Sequence, residues 1–176
     1  MTTQTYKDKL TEAMTYLGEQ ENTVFIGQQI IFPGNPMSTT LINVSKDKMI
    51  EVPVMEETQL GMSLGIAMTG KTVITFYPRW NFLICAASQL INHLDTYETM
   101  TGKKANVIIR VGKGADTPLD PGPQHKANFI FEFASMCKNV SCYDLKDPEH
   151  TVEVYKDAYK NGGVHIIAEY PELYFS

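Results

Sequence analysis

The strongest constraint in this chain is an alternation of short apolar runs with segments of helical spacing. "TVFIG" (23–27), "MIEVP" (49–53), "KTVITFY" (71–77), "NVIIRV" (106–111), "NVSCYD" (139–144) and "VHIIAEY" (164–170) read as strands. Most are apolar on both sides, which a half-exposed sheet does not tolerate, and helical segments separate them. Short two-sided strands joined by helices form parallel β-α-β units covered on both faces. The sequence therefore predicts an α/β fold, a three-layer parallel sheet with helices on both faces. Its 176 residues are expected to form one domain over 1–176. A chain of that length buries about 70% of its unfolded surface, enough for a core without staples.

Between the strands, Tyr6, Leu10, Ala13, Met14 and Leu17 share one helical face, and that helix is expected to end at Gly18. Asn35-Pro36 can start a short helix. Further helices are expected over 56–69, 80–100, 125–136 and 147–161, the last with Pro148 in its first turn. The segments Trp80–Leu94 and 56–69 are apolar nearly all round, so each needs cover on every side. Gly61 and Gly65 allow close helix approach along one line. Either a partner subunit covers this region or it is a central core helix. No internal repeat, linker or low-complexity stretch is present.

Several function classes are excluded. A net charge of −5 and the lack of any run of five Lys or Arg argue against nucleic acid, and "TGKKAN" reads as a solvated loop. Cys85, Cys137 and Cys142 are odd in number and lack metal-ligand spacing, as expected of reduced thiols in a cytoplasmic protein. "MTTQTYKDKLTEAM" is polar and amphipathic, not a signal peptide, and no run of eighteen apolar residues spans a membrane. "GKGAD" lacks the phosphate-loop pattern, no Gly-x-Gly-x-x-Gly follows the first strand, and no serine elbow occurs. His93, His125, His150 and His165 are scattered.

Glu56 and Glu57 have a local explanation. Acids in a helix's first turn interact favourably with its free amides, typically by ~0.3–1 kcal/mol. Gln124-His125 can be read as capping too, and Trp80 and Phe82 as core.

Taken together these stretches resemble a known family. "VPVMEETQLGMSLGIAMTG" (52–70) has a Pro, a Glu three residues on, then Gly, Gly and Ala-Met-x-Gly in register. It is similar to the segment around the cofactor-contacting glutamate in the pyrimidine-binding domain of thiamine diphosphate enzymes. The 2-oxo-acid dehydrogenase beta subunit is the nearer form and transketolase the more distant. "FYPRWNF" with "SQLINH", then "VIIR" with "PGPQHKANF", and finally "HIIAEYPELYFS" are similar to that family's following motifs, in order. The resemblance runs from about residue 8 to 174.

The resemblance implies site residues. Glu56 is the glutamate that shares a proton with a pyrimidine ring nitrogen, a role favoured by apolar surroundings. Phe82 stacks on the ring, where offset contact is worth ~0.5–1.5 kcal/mol beyond burial. Pro78 and Trp80 form pocket walls. His125 is the active-site histidine; at the start of the helix expected over 125–136, its cationic form would be disfavoured. Glu57 keeps the capping role.

This chain also departs from the pattern. Gln28 and Gln29 stand where the dehydrogenase subunits carry acids, so Gln28 is expected in a substrate pocket of different chemistry. Lys126 follows His125 where a serine is common, a cation at the pocket rim that would suit a phosphorylated or carboxylate-bearing substrate. The Gly-Asp-Gly motif with a downstream Asn, which holds magnesium and diphosphate, is absent. The family's third, C-terminal domain is expected to be missing, since the chain stops at the closing strand.

A separate diphosphate-binding alpha subunit carrying the Mg²⁺ is therefore implied, in an α2β2 assembly. The expected activity is decarboxylation of a 2-oxo acid and transfer of the activated aldehyde. Ketol transfer or simple decarboxylation are alternatives within the class, and a non-catalytic scaffold is the alternative outside it.

Overall fold

The computed structural model describes residues 5–32, 34–117 and 119–175. Six strands, β1 (Thr23–Gly27), β2 (Met49–Glu51), β3 (Thr72–Tyr77), β4 (Val107–Gly112), β5 (Val140–Asp144) and β6 (Val164–Glu169), form one sheet in the order β2-β1-β3-β4-β6-β5. Every neighbouring pair is parallel. β3, β4 and β6 are buried at every residue, as expected of strands covered on both faces.

Helices α2 (Glu56–Ala67), α3 (Trp80–Leu83), α4 (Asp95–Thr101) and α5 (Ile130–Met136) follow β2, β3 and β4. Leu60, Trp80, Leu83 and Phe133 from this layer pack in one core with Val73, Val107 and Ile109. Helices α1 (Tyr6–Glu19) and α6 (Thr151–Asn161) cover the other face with 3₁₀ turns at Pro36–Leu41 and Pro171–Phe175. There Leu10, Leu17, Met37 and Tyr155 pack in a second core with Phe25, Ile74 and Ile167. The sequence prediction of a three-layer parallel α/β fold is met.

Local chemistry explains several boundaries. Thr5 and Asp8 form a reciprocal capping box at α1. The Asn35 side chain accepts the Ser38 amide at 3.0 Å, starting the Pro36 turn. Gln59, fully buried, donates to Thr75 Oγ1 and to the Phe76 carbonyl, both at 2.9 Å, which pins α2 to β3.

Two expected helices differ. The segment 80–100 is not one regular helix: α3 passes through a 3₁₀ turn at Ile84–Ala86 and a π-helical stretch at Gln89–Leu94 before α4. Its apolar residues do not make it a central core helix either, because Ile84 is 43% exposed and Cys85, Ser88, Asn92 and His93 also face solvent. Met62 and Met68, on and just beyond the adjacent α2, are exposed as well. The helix expected over 125–136 starts only at Ile130, whose amide is taken by the Asn128 side chain at 3.1 Å. Residues Pro123–His125 form a separate 3₁₀ turn after Gly122, whose φ of +80° breaks the chain direction.

Beneath the carboxyl ends of β4 and β6 lies a closed polar cluster. Arg110 and Glu169 are both 0% exposed, with Nε–Oε1 at 2.5 Å and Nη2–Oε2 at 2.8 Å. Arg110 Nη1 also donates to Thr40 Oγ1 at 3.1 Å, and its guanidinium lies 4.7 Å from the Phe76 ring centroid. Tyr155 and Tyr174 donate their hydroxyls to the Glu169 carboxylate. Burial, then the Glu169 charge, pushes both phenols well above their ordinary range, so they stay donors.

Candidate active site at the carboxyl edge of the sheet

In a parallel sheet every strand points its carboxyl end to the same edge. Here the chain leaves β1 outward to β2 and then returns across it to β3. That reversal leaves a crevice at the carboxyl ends, the place where open α/β sheets bind ligands. A cavity of about 360 Å³ lies there. Its wall comes from the segments after β1 (Gln28, Gln29, Asn35), β3 (Pro78, Arg79, Phe82), β4 (Lys113) and β6 (Pro171).

The first wall is held by Glu51, the last residue of β2. Its carboxylate accepts the backbone amides of Gln29 at 2.5 Å, Ile30 at 2.9 Å and Ile31 at 2.9 Å. Gln29 takes a φ of +56°, in the left-handed region. That conformation costs a non-glycine residue about 1–2 kcal/mol. Each hydrogen bond to a charged acceptor contributes about 1.5–3 kcal/mol, so the three together outweigh the strain.

The second wall starts at the end of β3. Tyr77 donates its hydroxyl to the Glu56 carbonyl at 3.1 Å, fixing the first residue of α2 beside the strand end. Burial raises the Tyr77 hydroxyl far above its ordinary range, and the Glu56 charge adds to that. Glu56 itself is half-buried, whereas Glu57 is exposed and accepts from Gln89 Nε2 at 3.5 Å. Four residues beyond Pro78, the half-buried Phe82 ring meets the His125 ring at 5.4 Å between centroids, tilted by 50°.

Two glycines bring the third wall in. A Cβ on Gly112 would overlap the Pro78 carbonyl oxygen, and one on Gly114 would overlap the His125 carbonyl oxygen. Both obstacles are backbone, which no rotamer change relieves, so only glycine permits this approach. His125 Nδ1 is buried and has no hydrogen-bond partner.

The positions anticipated from sequence thus divide. Gln28, Pro78 and Phe82 line one cavity; His125 joins them through Phe82, and Glu56 stands at the adjoining strand end. Trp80 is not a pocket wall. It is 0% exposed and stacks on Phe133 at 5.7 Å between centroids, because the first turn of α3 points it into the core. Lys126 is not a free cation at the rim: it is bound by Asp116 and, at 2.8 Å, by Asp120. His125 ends a 3₁₀ turn instead of opening a helix, so no helix dipole acts on it in the way expected.

Arg79, Lys113, Asn35 and Glu51 were missed by the sequence reading. Lys113 directly follows β4, Glu51 ends β2, Arg79 precedes α3 two residues after β3, and Asn35 starts the Pro36 turn; those positions were the available signal. Among the described residues no group of three or more His, Cys, Asp or Glu could hold a metal ion. No helix among them is long and apolar enough to cross a membrane.

Residues 2–174 match the family described as transketolase, pyrimidine binding domain. The chain belongs to that family. Among solved structures, one described as a split-gene transketolase, an inactive beta4 tetramer, superposes with a TM-score of 0.73 at 16% identity. The match covers 96% of this chain and 52% of that one, so this transketolase-type pyrimidine domain spans about half the length of the structure it resembles. No curated protein matches by sequence.

Proposed function

We propose that this chain is the pyrimidine-binding, beta-type subunit of a split thiamine diphosphate enzyme. It acts on a 2-oxo acid, by decarboxylation and transfer of the activated aldehyde. The observation that carries this reading is the position of Glu56. In a chain of this family it opens α2 at the carboxyl edge of the sheet, held by Tyr77 next to the wall of Pro78 and Phe82.

The residues present fit the pyrimidine half of the cofactor: a half-buried carboxylate, an accessible aromatic face and an unpartnered buried imidazole nitrogen stand along one edge. When bound, thiamine diphosphate supplies the electron sink for breaking a bond beside a carbonyl. Glu56 holds a proton at the pyrimidine ring nitrogen. Phe82 packs on the ring and excludes water from it. His125 passes a proton to or from a substrate oxygen through its imidazole ring.

The diphosphate and its Mg²⁺ fall to a separate alpha subunit, and the exposed apolar side chains Met62, Met68 and Ile84 support a protein partner in an α2β2 assembly. The free thiols support a cytoplasmic setting. Ketol transfer is the second reading, favoured by the likeness to a split-gene transketolase.

The test is reconstitution with the diphosphate-binding subunit and assay against 2-oxo acids and ketose phosphates. The isolated chain should show no turnover, and Glu56→Gln should lower the rate of the reconstituted enzyme by about 10²–10⁴-fold. An unchanged rate would leave the non-catalytic scaffold.

A further inference from the structure

Glu51 directs its charge at backbone. Its carboxylate takes three successive amides, those of Gln29, Ile30 and Ile31, and it does not line the cavity. Successive amides converge on one anion in a nest, where the chain alternates between right- and left-handed conformations. Gln29 supplies the left-handed residue, and among the described residues it is the only non-glycine with a positive φ. The Asn35 side chain also donates to the Gln29 carbonyl, at 3.5 Å.

The turn over residues 28–31 has two faces. Gln28 and Gln29 line the carboxyl-edge cavity, whereas Ile30 and Ile31 line a second cavity of about 460 Å³ with Leu41, Val44 and Met49. Ile30 is 4% exposed and packs in the core with Phe25 and Ile74. That burial fixes where the turn sits, but an apolar contact does not select the hand of the backbone one residue earlier. The carboxylate at the centre of the nest does. Without it a glutamine favours the right-handed or extended regions, and the Gln28–Gln29 face of the turn would leave its place on the wall.

We infer that Glu51 is a positioning residue for the substrate: it acts through the turn, presetting the Gln28 and Gln29 carboxamides to hydrogen-bond the substrate's polar groups. This rests on the reading of the edge as an active site and deepens it by naming the residue, itself outside the cavity, that orders the first wall. The size of the effect follows from populations. Once the carboxylate no longer imposes the left-handed residue, binding has to impose it. The cost of that conformation in a non-glycine residue corresponds to an apparent affinity weaker by about 5–30-fold.

Glu51→Ala and Glu51→Gln are made in the full chain and checked for folding by circular dichroism; the second keeps the comparison available where the first unfolds. By NMR, the backbone couplings of Gln29 should report loss of the positive φ in Glu51→Ala. In the enzyme reconstituted with the diphosphate-binding subunit, KM for the 2-oxo acid or ketose phosphate turned over should rise by about 5–30-fold. The rise should be smaller in Glu51→Gln, whose carbonyl oxygen still accepts, and kcat should change by less than about threefold. Asparagine enters the left-handed region more readily than glutamine, so in a Gln29→Asn background the KM effect of Glu51→Ala should shrink by about threefold or more. A role in stability alone would lower Tm and the active fraction and leave KM as it was. That result, a positive φ kept at Gln29 without the carboxylate, or an equal KM effect in both backgrounds overturns the inference. Glu56→Gln separates the two readings: its full activity would remove the cofactor reading, and a KM rise in Glu51→Ala beside it would keep the positioning role.

Discussion

Removing Arg110 tests whether the buried pair beneath the site is a structural necessity. Arg110→Met keeps most of the aliphatic volume but leaves the Glu169 carboxylate 0% exposed, with only the hydroxyls of Tyr155 and Tyr174 to satisfy it. The lost contacts are two direct hydrogen bonds to Glu169, one to Thr40 and the face of Phe76. An uncompensated buried charge of this kind costs about 3–5 kcal/mol. For a domain of this size 1 kcal/mol moves the melting temperature by about 2–4 °C, so the variant should melt about 6–20 °C lower.

The double variant Arg110→Met/Glu169→Gln separates charge from packing. A neutral carboxamide still accepts from one tyrosine through its oxygen and can donate its NH2 to the hydroxyl oxygen of the other, so much of the loss should return, with a coupling of about 0.5–3 kcal/mol in the cycle. Thermal and urea unfolding of the chain by circular dichroism measure both of these and Glu169→Gln alone, which completes the cycle. The reasoning is refuted if Arg110→Met costs under about 1 kcal/mol, or if the two substitutions simply add. The consequence for the site is direct, since the Lys113 amide donates to the Glu169 carbonyl at 2.9 Å and Pro171 follows two residues later on the cavity wall.

Gly114→Ala should displace the turn that carries His125, because the added carbon meets backbone oxygen. The Phe82–His125 ring contact should be lost by NMR, with the reconstituted rate falling by at least about tenfold and the global fold retained; an unshifted His125 signal would contradict this. Burial, with a smaller push from Asp95, raises the Cys137 thiol to about 12, and burial raises Cys142 to about 11, from an ordinary value of 9.0. Acids raised in the fold stabilise it fully below the unfolded value and lose that contribution as pH rises through the folded one. Urea midpoints should therefore hold up to about pH 9 and fall above it; a flat or rising profile there would count against the burial. Below that pH a thiol reagent should modify exposed Cys85 first.

Fold class could be read from the sequence because strands such as "KTVITFY" and "VHIIAEY" are apolar on both sides, a local signal that admits one kind of burial. β1 falls on the expected residues, and α1 and α2 end within three residues of expectation. Glu56, Phe82 and His125 could be named from motif order, and the family assignment of residues 2–174 agrees with that resemblance. The loops were harder. The start of α5 depends on the Asn128 side chain taking one amide, and the helical stretch after β3 changes hydrogen-bond pattern midway; periodicity reports neither.

What the sequence determined by itself was the alternation, its two-sided burial and the residue types available for chemistry. Which of those residues share a cavity was decided only in three dimensions. Trp80 and Phe82 are two positions apart, yet one lies in the core and the other on the wall, because α3 turns between them. Lys126 is neutralised by two aspartates, while Arg79 and Lys113, more than thirty positions apart in the chain, line one cavity. The reason is physical: apolar periodicity sets how each segment is buried, but the crossing order of the strands sets which loops face one another at the sheet's edge.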